Sequence, residues 1–119
     1  MEQRRFEHYI AQALRQLPEE FSRALDNVEI TWDDKPSPSL VRKMGGGFIF
    51  GLYEGVPLTR RDQGYSLALP DKITIYKNPI EQVYRSEKEI IEEIRRTVIH
   101  ELGHHFGLSE QEIREAMGG

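Results

Sequence analysis

The sequence of 119 residues contains no cysteine, so disulfide bonds, thiolate metal ligands and cysteine nucleophiles are all excluded. A bound metal ion must therefore use His, Asp or Glu side chains. No apolar run approaches the length of about 20 residues that a membrane-spanning helix needs, and we expect no membrane partner. Residues 1–8 lack the apolar core of a secretory signal, which makes the cytoplasm the expected location.

The sequence also lacks a cluster of basic residues. Its 16 Lys and Arg are scattered among 20 Asp and Glu, giving a net charge of −4, so a nucleic-acid partner is not expected. A hydrophobic content of 38% excludes a disordered chain. The length fits one domain, residues 1–119, with a single modest core, and nothing in it indicates the oligomeric state.

The hydrophobic pattern predicts helices at both ends of the chain and strands between them. The predicted helices cover residues 2–17, a short segment opened by Pro18, residues 86–106 and a terminal segment that ends near Met117. The predicted strands cover residues 28–32, 48–53 and 71–76, with a further short strand at 65–69. Loops or turns are predicted at 33–47, 54–57 and 60–64, and Pro79 is expected to end the last strand. This order of helices, strands and helices predicts an α+β domain.

Capping signals define the two C-terminal helices. Ser86 and Glu89 form a capping box that opens the long helix, and Ser109 and Glu112 form a second box for the terminal helix. Gly107 stands where a C-cap glycine is expected. The chain should therefore turn sharply at Gly107.

The long helix carries the pattern His-Glu-Leu-Gly-His at residues 100–104. Side chains at positions i and i+4 of a helix point the same way, so His100 and His104 can reach one metal ion. Glu101 projects about 100° away, where it can act as a general base but not as a third ligand beside both histidines. The pattern predicts a zinc site whose bound water is activated by Glu101.

A catalytic zinc site needs a third protein ligand and one open position. A left-handed Gly107 would let Glu110 return toward the two histidines, and two His with one carboxylate suit zinc as well as iron or manganese. The alternative for Glu110 is a purely structural role, because acidic residues are favoured in the first turn of a helix.

The histidines of the long helix differ in their position relative to its predicted apolar stripe. The stripe consists of Ile91, Ile94, Val98, Leu102 and Phe106. His100 and His104 lie roughly opposite it and are not needed for core packing. His105 lies beside the stripe, so we expect a packed histidine bonded to backbone, outside the metal group. His8 has no visible partner and should be on the surface.

Three segments resemble a family of small bacterial zincin-like metallopeptidases. They are RRTVIHELGHHFGL at 95–108, GLYEGVPLT at 51–59 and KITIY at 72–76, and the doubled histidine before Phe-Gly-Leu is the most specific mark. The resemblance implies a minimal zincin-like domain, with a small mixed sheet of three to four strands packed on an active-site helix and a backing helix. It also implies one zinc ion held by His100, His104 and Glu110, Glu101 as the base, and a peptide or protein substrate. No methionine turn and no long C-terminal subdomain can be identified.

In zincins the substrate adds itself along an edge strand above the active-site helix. Here the best candidate for that rim is the 48–53 strand with its continuation to residue 59, including Gly51, Tyr53 and Gly55. These glycines can equally be ordinary turn residues. An oxyanion donor could be Tyr53, Tyr65 or Tyr76, and the sequence does not choose among them.

Three functions compete. The first is a zinc-dependent peptidase, and the second is a metal-binding or peptide-binding module of the same fold with little or no turnover. Glu101 favours the first, because metal storage does not need a base. The third is the class of small bacterial endoribonucleases, which uses a third histidine where this chain has Glu110, and it ranks last.

Overall fold

The computed structural model describes residues 2–55 and 71–118. The described residues form six α-helices and three strands, which confirms the α+β class. The helices are α1 (Glu2–Arg15), α2 (Glu19–Ala24), α3 (Pro38–Lys43), α4 (Lys77–Val83), α5 (Glu87–His105) and α6 (Glu110–Ala116). The strands are β1 (Val28–Asp33), β2 (Gly51–Glu54) and β3 (Asp71–Tyr76), and a short 3-10 helix, Leu25–Asn27, precedes β1.

The three strands form a mixed sheet in the order β1-β3-β2. β1 runs parallel to β3, with Val28 opposite Asp71, and β2 runs antiparallel to β3, with Gly51 opposite Ile75. The central strand is buried from Ile73 to Tyr76, with Ile73 and Ile75 both at 0% exposure. Among the described strands, β2 is therefore an edge strand.

Helix α5 is the centre of the molecule, since it packs against β2, β3 and the backing helix α1. The interface with α1 and the sheet is apolar and forms one continuous core. Its most buried members include Phe6, Ala13, Ile73, Ile75, Ile80, Ile94, Val98, Ile99 and Leu102. Burial of this face fixes the rotation of α5, and therefore the direction in which its other side chains point.

The prediction of a loop across residues 33–47 is wrong in its middle, where α3 forms. Ser37 caps this helix by accepting a hydrogen bond from the Leu40 N–H at 3.1 Å, and Pro38 occupies the first helical position. This is the position where proline is favoured. None of the residues of α3 is buried, so the sequence shows no helical repeat of apolar residues in this segment.

The strand predicted at 48–53 begins later, at Gly51, where pairing with β3 starts. The strand predicted at 71–76 has the expected bounds, but Pro79 is not what ends it. β3 ends at Tyr76, and Pro79 lies in the first turn of α4, where its missing N–H needs no helical partner.

The predicted apolar stripe of α5 is confirmed at its three middle members, while its first member, Ile91, is only partly buried and its last is exposed. Ile94, Val98 and Leu102 are fully buried, whereas Phe106 is 51% exposed. α5 ends at His105, and Phe106 is its C-cap residue. Ile113 of α6 instead packs over this end, so closely that a Cβ on Gly103 would lie 2.7 Å from its Cγ1 atom.

The turn predicted at 60–64 and the strand predicted at 65–69 lie outside the described residues, as does the second half of the turn at 54–57. None of the helices in the described ranges is both long and apolar enough to cross a membrane.

Candidate metal centre

Helix α5 presents His100 and His104 side by side on the face opposite its buried residues. Their Nε2 atoms lie 3.1 Å apart and their ring centroids 4.3 Å apart. The side chains are 43% and 50% exposed. The predicted i and i+4 pair is thus formed by one rigid helix, and it faces solvent.

The turn after α5 brings Glu110 back to this pair. Gly107 has a φ of 77°, in the left-handed region, and follows the C-cap residue of α5. The Gly107 N–H donates to the His104 carbonyl at 3.1 Å, and the Leu108 N–H donates to the Gly103 carbonyl at 2.9 Å. These two bonds form a Schellman motif, which ends the helix and reverses the chain within a few residues.

Glu110 is the first residue of α6, and its Oε1 atom lies 3.0 Å from His104 Nε2 and 3.8 Å from His100 Nε2. The capping box of α6 is made by Ser109 and Glu112, each of which accepts a hydrogen bond from a backbone N–H of the other. Glu110 is therefore not needed for the cap, and its side chain turns toward the histidines.

Three ligand atoms, one each from His100, His104 and Glu110, lie within 4.8 Å of one another. In a tetrahedral zinc site with bonds of about 2.0–2.1 Å, ligand atoms are about 3.3–3.4 Å apart. The observed separations of 3.0, 3.1 and 3.8 Å bracket that value. The donor set and its spacing thus fit a divalent metal ion.

Glu101 stands beside the group of three and is not part of it. Its Oε1 atom accepts a hydrogen bond from the Tyr53 backbone N–H at 3.1 Å. Its Oε2 atom lies 3.7 Å from His100 Nδ1 and has no hydrogen-bond partner among the described residues. One carboxylate oxygen is thus held by the edge strand, while the other remains able to accept a proton.

The contact between Tyr53 and Glu101 is a feature that sequence reasoning missed. Period-2 alternation tells which face of the sheet Tyr53 occupies, but says nothing about a main-chain bond to a residue far along the chain. The bond between the Tyr53 N–H and Glu101 forms because β2 is short and lies close to α5. At Gly51 a Cβ would lie 2.5 Å from Thr97 Cγ2, so only glycine permits this approach.

The side chain of Tyr53 is held by two further contacts. Its ring stacks on His105 with centroids 4.1 Å apart, and its hydroxyl donates to Asp71 Oδ2 at 2.7 Å. His105 Nε2 also approaches Asp71 Oδ2, at 3.8 Å. His105 therefore lies apart from the three converging ligand atoms, but it is 40% exposed and not the predicted packed histidine. The expected backbone bond of His105 is absent among the described residues, since its ring covers Tyr53 instead.

The remaining predicted residues are dispersed. Gly55 is exposed at the end of β2, where an added Cβ would make only ordinary contacts with Asp71 and Tyr53. Tyr76 is buried, and this burial raises the pKa of its hydroxyl, with Glu54 and Asp33 adding smaller effects in the same direction. His8 is exposed, as expected, and Tyr65 lies outside the described residues.

Comparisons with known proteins bear on the family and the fold of the chain. The model of a family described as zincin-like metallopeptidase matches residues 25–119, which is most of the chain. A solved structure of a conserved hypothetical protein from T. thermophilus is similar with a TM-score of 0.52 and 24% sequence identity. The similarity covers 86% of this chain and 91% of that chain, and at this identity it concerns the fold. No curated protein matches.

Proposed function

The chain belongs to the family of zincin-like metallopeptidases, and from that premise we propose that it hydrolyses peptide bonds with one zinc ion held by His100, His104 and Glu110. The observation that carries the proposal is the convergence of these three ligand atoms within 4.8 Å of one another, with the Glu101 carboxylate beside them. A family of metallopeptidases implies a metal, and this group supplies suitable ligands for one.

Zinc fits the group better than harder cations do. Two imidazole nitrogens and one carboxylate oxygen are the ligands of many catalytic zinc sites, whereas calcium and magnesium prefer oxygen ligands throughout. Bound there, zinc would polarise the scissile carbonyl and lower the pKa of a coordinated water molecule to about 7.

The proposed role of Glu101 is that of general base and then general acid. Its carboxylate accepts a proton from the attacking water as the water oxygen bonds to the carbonyl carbon. When the C–N bond breaks, Glu101 returns that proton to the departing nitrogen. The products are a carboxylic acid, which keeps the second proton of the water, and an amine, and at neutral pH they become a carboxylate and an ammonium group. The Tyr53 N–H supports this role because it holds Oε1 at 3.1 Å and leaves Oε2 for the proton.

The edge of β2 that no described strand covers is the proposed path of the peptide. The Tyr76 N–H donates to the Phe50 carbonyl at 2.9 Å, so hydrogen-bonded pairs of this antiparallel ladder include Phe50 with Tyr76. Since such pairs alternate, the backbone groups of Gly51 point away from β3, as does the Tyr53 N–H, which Glu101 already engages. An extended peptide beside β2 would meet the backbone of Gly51 next to Glu101 and the proposed metal ligands, which is β-strand addition.

The decisive experiment compares zinc-loaded wild type with Glu101→Gln on a degenerate peptide library, with zinc content measured for both. Glutamine keeps the shape of the side chain and its acceptor for the Tyr53 N–H but cannot take the proton. We expect cleavage by wild type and its loss by a factor of at least about 100 in the variant, since general base catalysis contributes about 10²–10⁴-fold. Equal cleavage by the two proteins would refute the proposed role.

Zinc binding without cleavage in wild type would favour the second function, a metal-binding or peptide-binding module with little or no turnover. The exposure of all three ligands, up to 59% for Glu110, is compatible with that function too. Glu110→Ala separates the ligand question from turnover: we expect its zinc affinity to fall, and an unchanged affinity would remove Glu110 from the metal site.

A further inference from the structure

A cavity of about 410 Å³ adjoins the candidate metal centre on the N-terminal side of His100. One wall is α5, through Thr97, His100 and Glu101, and the other is the segment that leads into β2. We call it the Phe48 cavity, after the aromatic residue at its rim. Its size lies within the range of about 300–1,000 Å³ that is usual for ligand pockets.

The wall opposite α5 is apolar and unusually exposed. Phe48 is 61% and Met44 57% exposed, although Ile49 between Phe48 and β2 is buried. The Phe48 ring stacks on Phe50 with centroids 6.3 Å apart and planes inclined by 17°. Two large apolar side chains at the rim of one cavity indicate a surface that is covered when a ligand binds.

Two charged residues line the cavity besides Glu101, which is assigned to the reaction, and both have partners within the protein. Glu93 is 9% exposed, and its two oxygens accept hydrogen bonds from the Tyr84 hydroxyl at 2.8 Å and the Thr97 hydroxyl at 3.0 Å. Arg96 Nε lies 3.4 Å from Glu92 Oε2. Because both charges are already paired, recognition in this cavity should depend mainly on apolar contact.

We propose that the Phe48 cavity receives an aromatic or long aliphatic side chain of the substrate, at a residue next to the scissile bond. This inference rests on the proposed peptidase function and names the class of substrate that the site selects. The cavity shares His100 and Glu101 with the reaction site, so a side chain in it belongs to a residue adjacent to the cleaved bond. A charged side chain would lose its hydration there without gaining a partner.

The first arm of the test measures specificity. Zinc-loaded wild type and Phe48→Ala act on peptides that differ only in the residues flanking one cleavable bond, with Val83→Ala as control because Val83 is also exposed but does not line the cavity. We expect kcat/KM to favour Phe, Leu and Met over Glu and Lys at one flanking position. Phe48→Ala should reduce that preference by about tenfold or more, Phe48→Leu should restore most of it, and Val83→Ala should leave it unchanged.

The second arm does not need turnover. Backbone amide signals of zinc-loaded Glu101→Gln protein are followed by NMR while N-acetyl-phenylalanine amide or N-acetyl-glutamate amide is added. We expect the phenylalanine compound alone to shift the signals of Gly46, Phe48 and Thr97 in a saturable way, and Phe48→Ala in the same background to weaken the response. The same spectra report whether each variant is folded.

The outcomes separate the two proposals. Cleavage without an apolar preference, or with a preference that Phe48→Ala leaves intact, overturns the assignment of the cavity. If wild type cleaves nothing, the peptidase proposal fails, and the NMR titration decides the cavity alone. Saturable shifts would then support an apolar ligand site, and no shifts, or equal shifts with the glutamate compound, would overturn it.

Discussion

The two faces of α5 differ in what they contribute to the molecule. On one face Ile94, Val98 and Leu102 are fully buried against the sheet and α1. On the opposite face the side chains of His100 and His104 are about half exposed. Because burial of apolar surface supplies most of the folding free energy, the first face stabilises the fold. The second face is free to carry metal ligands at little cost.

This separation is incomplete at the C-terminal end of α5. Glu110 lies on α6, a helix of 7 residues with Ile113 as its one buried member in the described range. The proposed third ligand therefore depends on a short element held by a glycine turn, a capping box and one fully buried side chain, with Ala116 and Met117 partly buried against the core. Stability and metal binding should be separable along most of α5 and coupled at α6.

The largest effect on stability is expected from the buried face. Leu102→Ala removes a fully buried side chain, and such truncations cost about 2–5 kcal/mol. Denaturant unfolding of the metal-free protein measures this loss. In protein that remains folded, zinc affinity should stay within about threefold of wild type, since Leu102 points away from the histidines. A large loss of affinity without loss of stability would contradict the division between faces.

The opposite result is expected from the exposed face. His104→Ala removes a proposed ligand, and we expect zinc affinity to fall by at least about 100-fold, because even outer-shell changes cost about 10–100-fold. The unfolding free energy of the metal-free variant should lie within about 0.5 kcal/mol of wild type, as for other exposed positions. Competition with a chelating dye measures the affinity. A severe loss of metal-free stability would show that this face also supports the fold.

The sequence predicts these two faces well because a long helix repeats its period many times. Over α5 the apolar positions and the capping signals agree, so both ends and both faces are defined before any tertiary contact is known. Phe106 is the exception, since the helix ends just before it and α6 takes over its place in the core. Periodicity cannot indicate where a neighbouring element will cover the surface.

Features formed by few residues or by distant ones are harder to predict. α3 buries none of its residues, and its only signals are Ser37 and Pro38. The bond from the Tyr53 N–H to Glu101 and the stacking of Tyr53 on His105 join residues that are far apart in sequence. Predicting the Phe48 cavity would likewise require the distance between α5 and the segment that leads into β2. Local patterns contain none of this information, although they do identify the residues of the proposed metal site.

A smaller effect tests the coupling at α6. Ser86 and Ser109 make equivalent capping boxes, and replacing either with alanine should cost about 1 kcal/mol of helix stability. We expect Ser109→Ala to reduce zinc affinity several-fold, because it loosens the helix that carries Glu110. Ser86→Ala should leave the affinity unchanged, since it acts at the far end of α5. Equal affinities in the two variants would mean that the glycine turn alone positions Glu110.

The smallest effect concerns pH and compares the same two boxes. The pKa values of Glu89 and Glu112 are lowered from 4.5, chiefly because each carboxylate accepts a hydrogen bond from a backbone N–H at the start of its helix, of Ser86 and Ser109 respectively. A carboxylate whose pKa is lower in the folded state contributes stability that is present above the unfolded pKa and is lost as pH falls through the folded pKa.

Replacing these glutamates with glutamine tests this contribution, because glutamine can keep the cap but not the charge. In metal-free protein, Glu112→Gln should therefore be less stable than wild type near neutral pH, and the difference should vanish in acid below the folded pKa. Glu89→Gln should behave alike if α5 and α6 unfold together. If only Glu89→Gln changes the unfolding midpoint, α6 opens before the core, and the third ligand is the part of the proposed site that is lost first.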